Sequence, residues 1–226
     1  MPKLTTMKNL FFAYFILFSF LGFGQDYNKF SLGINAGGHY LASNTIHEIN
    51  ALPTQHFDLS GRYMFNNRFG LKMNVGMDQF SFTDGHPKTN LTQVSLQASV
   101  NVSQLAGWHK DDCRWSLFAH AGFAYAAMWN TAMISGPREL FKLKQGSIDE
   151  MPQLVLGLNP QFKINEHLAV NAHVSFNGNF MQDNGFDFAS APKDGLFSGS
   201  YTTATIGINY YFGNALTSAD WTTNKH

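Results

Sequence analysis

Between Phe30 and Phe212 the sequence repeats long runs in which apolar and polar residues alternate. A two-residue period places every apolar side chain of a run on one face of a β-strand, and no helix produces it. The runs are separated by breaks that are alternately short and long. Tilted strands of about 9–11 residues are long enough to cross the hydrocarbon core of a bilayer. The pattern therefore predicts strands that span a membrane.

Eight runs keep this period, and an even number of antiparallel strands is typical of a membrane barrel made from one bacterial chain. The barrel must be closed because lipid cannot satisfy the hydrogen bonds of a free strand edge. The sequence thus predicts an all-β fold, an eight-stranded antiparallel up-and-down transmembrane β-barrel. Pro160 in the sixth run is expected at an edge or bulge, because proline cannot donate to a ladder. The predicted strands are residues 29–37, 56–65, 69–79, 91–103, 115–125, 153–164, 168–177 and 203–212.

At the N-terminus, Lys3 and Lys8 precede an apolar stretch at 10–21, which is followed by small residues. This order is typical of a secretory signal peptide, and the apolar stretch is too short for a membrane helix. A retained N-terminal anchor is the alternative. The expected division of the chain is a signal peptide at 1–24, a barrel at 25–213 and a short periplasmic tail at 214–226.

Composition agrees with a membrane barrel. Only 13% of residues are charged, whereas a soluble domain typically has about 25%. The chain also carries 22 Phe, 8 Tyr and 20 Gly, which suits a lipid-facing surface belted by aromatic rings. The net charge is zero and the basic residues are scattered, so we expect no nucleic-acid partner. Cys113 is the only cysteine, which excludes an intramolecular disulfide.

The lengths of the breaks predict an orientation in the bacterial outer membrane. Outer-membrane barrels have short periplasmic turns and longer external loops. Both chain ends are therefore expected in the periplasm. The turns at Asn66, Gly107 and Glu166 are predicted to be periplasmic, and the breaks at His39, Asp84, Met133 and Asp187 external.

Several stretches also resemble a known family. The segment RYMFNNRFGLKMNVGMDQF at 62–80, then MPQLVLGLNPQFKINEHLAVNAHVSFNGN and the closing TATIGINYYFG, resemble the barrel half of OmpA-type outer-membrane proteins in the Bacteroidetes variety. The resemblance implies contact with outer-membrane lipid and lipopolysaccharide. It also implies a periplasmic domain that grips peptidoglycan after the barrel. Only residues 213–226 follow Phe212 here, so we do not expect this chain to contact peptidoglycan.

The end of the last strand is a candidate assembly signal. The resemblance implies that the barrel assembly machinery reads the terminal aromatic residues, here Tyr210 and Phe212. Ordinary packing in an aromatic belt is the alternative. On either interpretation, removing residues 213–226 is expected to leave assembly intact.

Five charged residues are predicted to point into the lumen: Asp58, Arg62, Lys72, Asp78 and Lys163. An eight-stranded barrel is just wide enough for side chains to fill its interior. We therefore expect these charges to neutralise one another and plug the lumen, with Arg62 and Asp78 as one direct pair. A small ion-conducting pore is the alternative.

Candidate chemistry is sparse in this sequence. His39, His47 and His56 lack the close spacing and the acidic or thiolate partners of a metal site, so we expect no metal and no cofactor. A lipid-A-modifying acyl hydrolase or transferase would need an activated Ser beside a His with a third group orienting the base. His120 could serve as that base, with Ser116, Ser95 or Ser99 as the nucleophile. In an interior rich in Ser and Asn this coincidence is weak, and we predict a structural protein that is not an enzyme.

A secreted, lipocalin-like barrel with its apolar faces inside is a further alternative. The regular alternation of short turns and long loops favours the membrane barrel. The expected function is that of a structural outer-membrane protein of the cell envelope, with external loops available for binding.

Overall fold

The computed structural model describes residues 27–41, 56–82, 87–108, 113–130, 148–188, 195–215 and 217–221. The predicted signal peptide at 1–24 lies outside these residues. The chain forms eight strands and one helical turn: β1 (Phe30–Leu41), β2 (His56–Met64), β3 (Phe69–Phe80), β4 (Thr89–Asn101), α1 (Val102–Leu105), β5 (Trp115–Asn130), β6 (Asp149–Lys163), β7 (Leu168–Asn179) and β8 (Gly199–Phe212).

Each strand pairs antiparallel with the next, and β8 returns to pair with β1, so the barrel is closed. The closing ladder runs from Phe30 opposite Phe212 to Leu41 opposite Tyr201. This arrangement confirms the predicted eight-stranded up-and-down barrel. We call the two ends of the barrel the short-turn end, where 65–68 and 164–167 connect strands, and the long-loop end.

Burial is inverted relative to a water-soluble protein. On β3, Asp78 is 3% exposed and the adjacent Met77 is 57% exposed. The same alternation of buried polar and exposed apolar residues recurs along the other strands. Hydrocarbon solvates such an apolar outer surface, whereas water would not. The lipocalin-like alternative is therefore wrong, because it requires the apolar faces inside.

Exposed aromatic rings gather at both ends of the barrel. Tyr40, Phe57 and Tyr125 are exposed towards the long-loop end. Such belts lie at the interfaces between lipid and water in membrane barrels. At the short-turn end the exposed rings include Phe30, Phe69, Trp115, Phe162, Tyr210 and Phe212.

Two asparagines build the tight turns. The side-chain oxygen of Asn66 accepts hydrogen bonds from the backbone of Arg68 and Phe69, each at 2.8 Å. The side-chain oxygen of Asn165 accepts equivalent bonds from His167 and Leu168, each at 2.9 Å. An Asn that bonds the backbone two and three residues on mimics a backbone turn.

Pro160 lies inside β6, and a neighbouring side chain compensates for its missing N–H. The ladder between β6 and β7 is interrupted between Leu158 and Gln161. At this gap the Asn159 side-chain amide donates to the backbone oxygen of Ala172 at 2.8 Å. The ladder on the β5 side continues through Pro160 opposite Leu117. A proline is thus accommodated in a closed sheet because Asn159 supplies a donor beside it.

Several strand boundaries differ from the prediction, and two of them change how a predicted residue is placed. β1 continues to Leu41, so His39 lies in the barrel wall and not in a loop. The strand end was missed because the Gly37–Gly38 pair interrupts the alternation of apolar and polar residues. Gly37 is nevertheless needed inside the strand, because a Cβ at this position would collide with the backbone oxygen of Ala204.

β4, in contrast, ends at Asn101, earlier than predicted. The Asn101 side-chain oxygen accepts from the backbone N–H of Gln104 at 3.2 Å and caps α1. Among the described residues, no helix has the length and apolar character needed to cross a membrane.

Candidate functional site: the barrel lumen

A cluster of histidines and carboxylates fills the lumen near the long-loop end. His56 lies between two acids, with Nδ1 2.7 Å from Asp78 Oδ1 and Nε2 3.2 Å from Asp58 Oδ2. Asp78 is also approached by His39 Nδ1 at 3.4 Å and accepts from the Tyr201 hydroxyl at 3.4 Å. These side chains are buried, so each carboxylate meets donors in place of water.

Asparagine amides complete the environment of Asp58. Its Oδ1 accepts from Asn35 Nδ2 at 2.8 Å and from Asn74 Nδ2 at 2.7 Å. The three residues lie on β1, β2 and β3, so their side chains tie adjacent strands together from the inside. Buried hydrogen bonds between strands favour a single arrangement of the lumen, because a carboxylate left without donors would cost free energy.

In the middle of the lumen, two imidazoles meet. His120 Nε2 lies 2.6 Å from His173 Nε2, which also lies 3.3 Å from Lys72 Nζ and 3.0 Å from Ser175 Oγ. His120 packs against Gly157, where a Cβ would meet the ring at 2.5 Å. The glycine therefore makes the room in which the two histidines fit.

At the short-turn end, Arg62 binds a residue from beyond the last strand. Its guanidinium forms a buried ion pair with Asp220 and lies 4.1 Å from the ring centroid of Phe118. Asp220 also accepts from the Tyr211 hydroxyl at 2.6 Å, and its backbone oxygen accepts from Asn101 Nδ2 at 3.2 Å. The structure therefore corrects the expected Arg62–Asp78 pair: Asp78 bonds to histidines and Arg62 to Asp220.

Asp220 belongs to a segment that we call the strap, residues 217–221. The strap folds back into the short-turn mouth of the barrel, where Ala219 is 0% and Asp220 1% exposed. Ala219 packs against Met64 and Phe118, and Trp221 packs against Tyr211. The described part of the expected short tail is thus built into the barrel. That removing residues 213–226 leaves assembly intact stays a prediction.

Lys163, the fifth charge predicted in the lumen, lies at the rim. It is half-buried at the short-turn end of β6, beside Arg114, Glu166 and Trp221 in a polar cleft. The strand register places it at the opposite end of the barrel from Asp78. Four of the five predicted charges are therefore inside the lumen, and they belong to three groups. Asp58 and Asp78 share His56, Lys72 lies beside His173, and Arg62 pairs with Asp220.

A segment of the chain packs into each mouth of the barrel. Phe186, from the connection between β7 and β8, inserts at the long-loop end and packs against Phe80 and Tyr201 in a buried apolar cluster. The strap packs into the other mouth. Between Arg62 and Lys72 there remains a cavity of about 20 Å³, room for roughly one water molecule.

Of the three serines considered with His120 for catalysis, two make hydrogen bonds to other residues and one lies opposite His120 in the sheet. Ser116 Oγ donates to Asn101 Oδ1 at 3.0 Å, and Ser95 Oγ accepts from Gln97 at 2.6 Å. Ser99 is the residue opposite His120 in the β4–β5 ladder. The Ser175–His173 contact was not foreseen, and His173 Nδ1 has no hydrogen-bond partner within the described part of the chain. The third group that would orient a catalytic base is therefore missing from this pair.

For metals, the described residues contain no group of three or more His, Cys, Asp or Glu side chains arranged to hold an ion. His47, one of the three histidines considered, lies outside those residues.

Comparison with solved structures shows the same architecture. The crystal structure of neisserial surface protein A matches with a TM-score of 0.52 at 10% identity, covering 81% of this chain and 97% of that one. A major outer-membrane protein of Thermus thermophilus matches with a TM-score of 0.51 at 11% identity, covering 81% and 99%. By fold, the chain is an outer-membrane β-barrel.

This fold is the one that the resemblance to OmpA-type barrels implied. The N-terminal barrel domain of OprF from Pseudomonas aeruginosa also matches, at 17% identity and a TM-score of 0.43. No protein-family model and no curated protein matches the sequence of this chain. Its site residues are therefore assigned from its own geometry.

Proposed function

We propose that the protein is a closed, non-conducting structural barrel of the bacterial outer membrane whose external loops form a binding surface. The observation that carries the proposal is the blocked lumen, with Phe186 in one mouth, Asp220 in the other and about 20 Å³ of space between Arg62 and Lys72. A hydrated ion needs a continuous water-filled path, which this interior does not offer.

The proposed orientation places the short-turn end and both described chain ends in the periplasm. The apolar outer band would contact membrane lipid and lipopolysaccharide. At the long-loop end, Asp149 Oδ2 accepts from the backbone of Asp183 at 3.0 Å and of Asn184 at 2.8 Å. This anchoring supports a binding role, because recognition loops are commonly held on a rigid scaffold.

We further propose that the protein is not an enzyme. The Ser175–His173 contact lies in an enclosed lumen that no lipid chain enters in this arrangement, and it lacks an orienting carboxylate. The Ser175→Ala substitution, which removes the hydroxyl, should therefore change neither the lipid composition nor the lipid A structure of cells.

The proposal is tested by fractionation and by conductance. The mature protein should be recovered in the outer-membrane fraction. The purified protein should pass no steady ion current in planar bilayers, under conditions in which an open porin, as the positive control, does conduct. Phe186→Ala is the matched control for the external mouth and should also stay silent, since the lumen below remains filled. Regular steps of ion current from the parent protein would contradict the plugged barrel and support the small ion-conducting pore.

Phe212 is expected to matter for assembly. Its ring packs against Phe30 at 5.6 Å and Tyr210 at 4.7 Å between centroids, at the closing edge of the barrel. Phe212→Asp should reduce the amount of folded protein in the outer membrane, measured by the gel-mobility shift between boiled and unboiled samples. Phe162→Asp, at an exposed belt position on β6, is the control. Equal losses would assign the effect to belt packing and not to a terminal signal read by the assembly machinery.

A further inference from the structure

The short-turn mouth is built around a single carboxylate. The Asp220 carboxylate meets the Arg62 guanidinium from β2 and the Tyr211 hydroxyl from β8. The backbone oxygen of Asp220 accepts from the Asn101 amide of β4. The Tyr211 hydroxyl oxygen also lies 2.8 Å from the side-chain oxygen of Gln161 on β6. All of these side chains are at least nine-tenths buried, so the contacts of Asp220 are shielded from water.

The segment that carries Asp220 is held by backbone hydrogen bonds that require a closed barrel. Asn28 lies just before β1 and forms a parallel bridge with Ser218, beyond the end of β8. The Asn28 N–H donates to Thr217 and the Ala219 N–H donates to Asn28, each at 2.9 Å. These bonds can form only when β1 and β8 are neighbours.

Asn28 also receives the chain as it leaves β8. Its Nδ2 donates to the backbone oxygen of Ala215 at 2.9 Å, and its Oδ1 accepts from the Ala215 N–H at 3.1 Å. Gly213, with φ of 140°, turns the chain towards Asn28, and a Cβ at Gly213 would collide with the Asn28 side chain. Contacts with Asn28 therefore position Gly213 and Ala215, which lie between Phe212 and the strap.

We propose that the short-turn mouth is a carboxylate-binding site for a peptide turn, that Asp220 fills it in cis, and that its filling locks the β1–β8 seam. The ion pair joins β2 to the strap, while Tyr211 joins the strap to β8, so the contacts of Asp220 reach across β1 from both sides. The strap thus holds together the one pair of strands that are far apart in sequence. This role goes beyond the proposed function and does not depend on which end faces the periplasm.

The test follows the strap by thiol labelling in the full chain. Ser218→Cys, made with Cys113→Ser, places a single thiol at a position that is 0% exposed. We expect slow labelling in the folded protein and fast labelling in urea. Adding Asp220→Asn removes the charge and keeps the shape of the side chain. It should raise the labelling rate about tenfold or more, because the strap opens more often once the charge-assisted bond to Arg62 is lost. It should also lower the urea midpoint.

Asp183→Asn is the matched control, since Asp183 is an exposed acid at the other end of the barrel. It should change neither labelling nor the urea midpoint. Fast labelling of the folded parent, or identical behaviour of the Asp220→Asn and Asp183→Asn variants, would overturn the site.

A time course keeps the test independent of whether the Asp220 variant folds. During refolding of the Ser218→Cys protein into vesicles, protection of the thiol should appear with or after the gel-mobility shift of the closed barrel. Protection that precedes the shift would show that the strap docks on an open sheet, and would remove the seam-lock role.

Discussion

Arg62→Met is expected to lower the free energy of unfolding by about 3–5 kcal/mol, the usual cost of removing one member of a buried ion pair. Arg62 is 6% exposed, pairs with Asp220 and packs over Phe118. The substitution leaves the Asp220 carboxylate buried without its cation. Urea unfolding in lipid vesicles measures the loss, and the boiled and unboiled gel mobilities confirm that the barrel forms.

A double-mutant cycle identifies the partner of Arg62. Combined with Asp220→Leu, Arg62→Met should cost clearly less than the sum of the single changes, with a coupling of about 0.5–3 kcal/mol. Combined with Asp78→Asn it should be additive within about 0.5 kcal/mol, because Asp78 shares no contact with Arg62 and bonds to His56. The reverse pattern would restore the Arg62–Asp78 pair that the sequence suggested.

Leu156→Arg is expected to cost about 2–4 kcal/mol, the cost of a cation facing lipid at the bilayer midplane. Leu156 lies midway along β6, is 42% exposed and stands between Ala121 and Phe176 in the sheet. No acidic side chain is opposite it in either ladder. The loss is measured by urea unfolding in vesicles.

Val100→Arg is the depth control for this prediction. Val100 also faces outward, but it lies next to the end of β4 and pairs with Phe69 of the short-turn belt. An arginine there reaches the interface, so the expected cost is about 0–1 kcal/mol. Ser99→Arg, one position away, should instead cost about 1–3 kcal/mol by overpacking, because Ser99 is 2% exposed against the filled lumen. Equal losses at Leu156 and Val100 would contradict the assigned membrane depth.

The strand count and the facing of each side chain could be predicted because alternation is local. A two-residue period on β3 assigns Lys72 to one face and Met73 to the other without reference to any other strand. The boundaries at His39 and Asn101 could not be predicted, because they depend on partners. β1 extends to Leu41 because β8 is there to pair with it, and α1 forms where Asn101 caps it.

The lumen contacts were less accessible to sequence reasoning. Alternation showed that Arg62 and Asp78 point inward, but not their heights along tilted strands. Asp78 lies opposite His56 at the long-loop end, where His39 also reaches it. The partner of Arg62 comes from outside the periodic region, so no strand pattern could have indicated Asp220. An acid followed by Trp221 after the last strand was the one available signal.

By itself, the sequence determined an eight-stranded barrel with polar residues inside and apolar residues outside, because each strand carries its own period. Only the tertiary structure decided how the interior is closed. Phe186 and Asp220 reach the two mouths from segments that follow no period, and their partners, Tyr201 and Arg62, are brought to them by the closed sheet. Closure brings those residues together, and the energies of buried charges and rings then select the pairs.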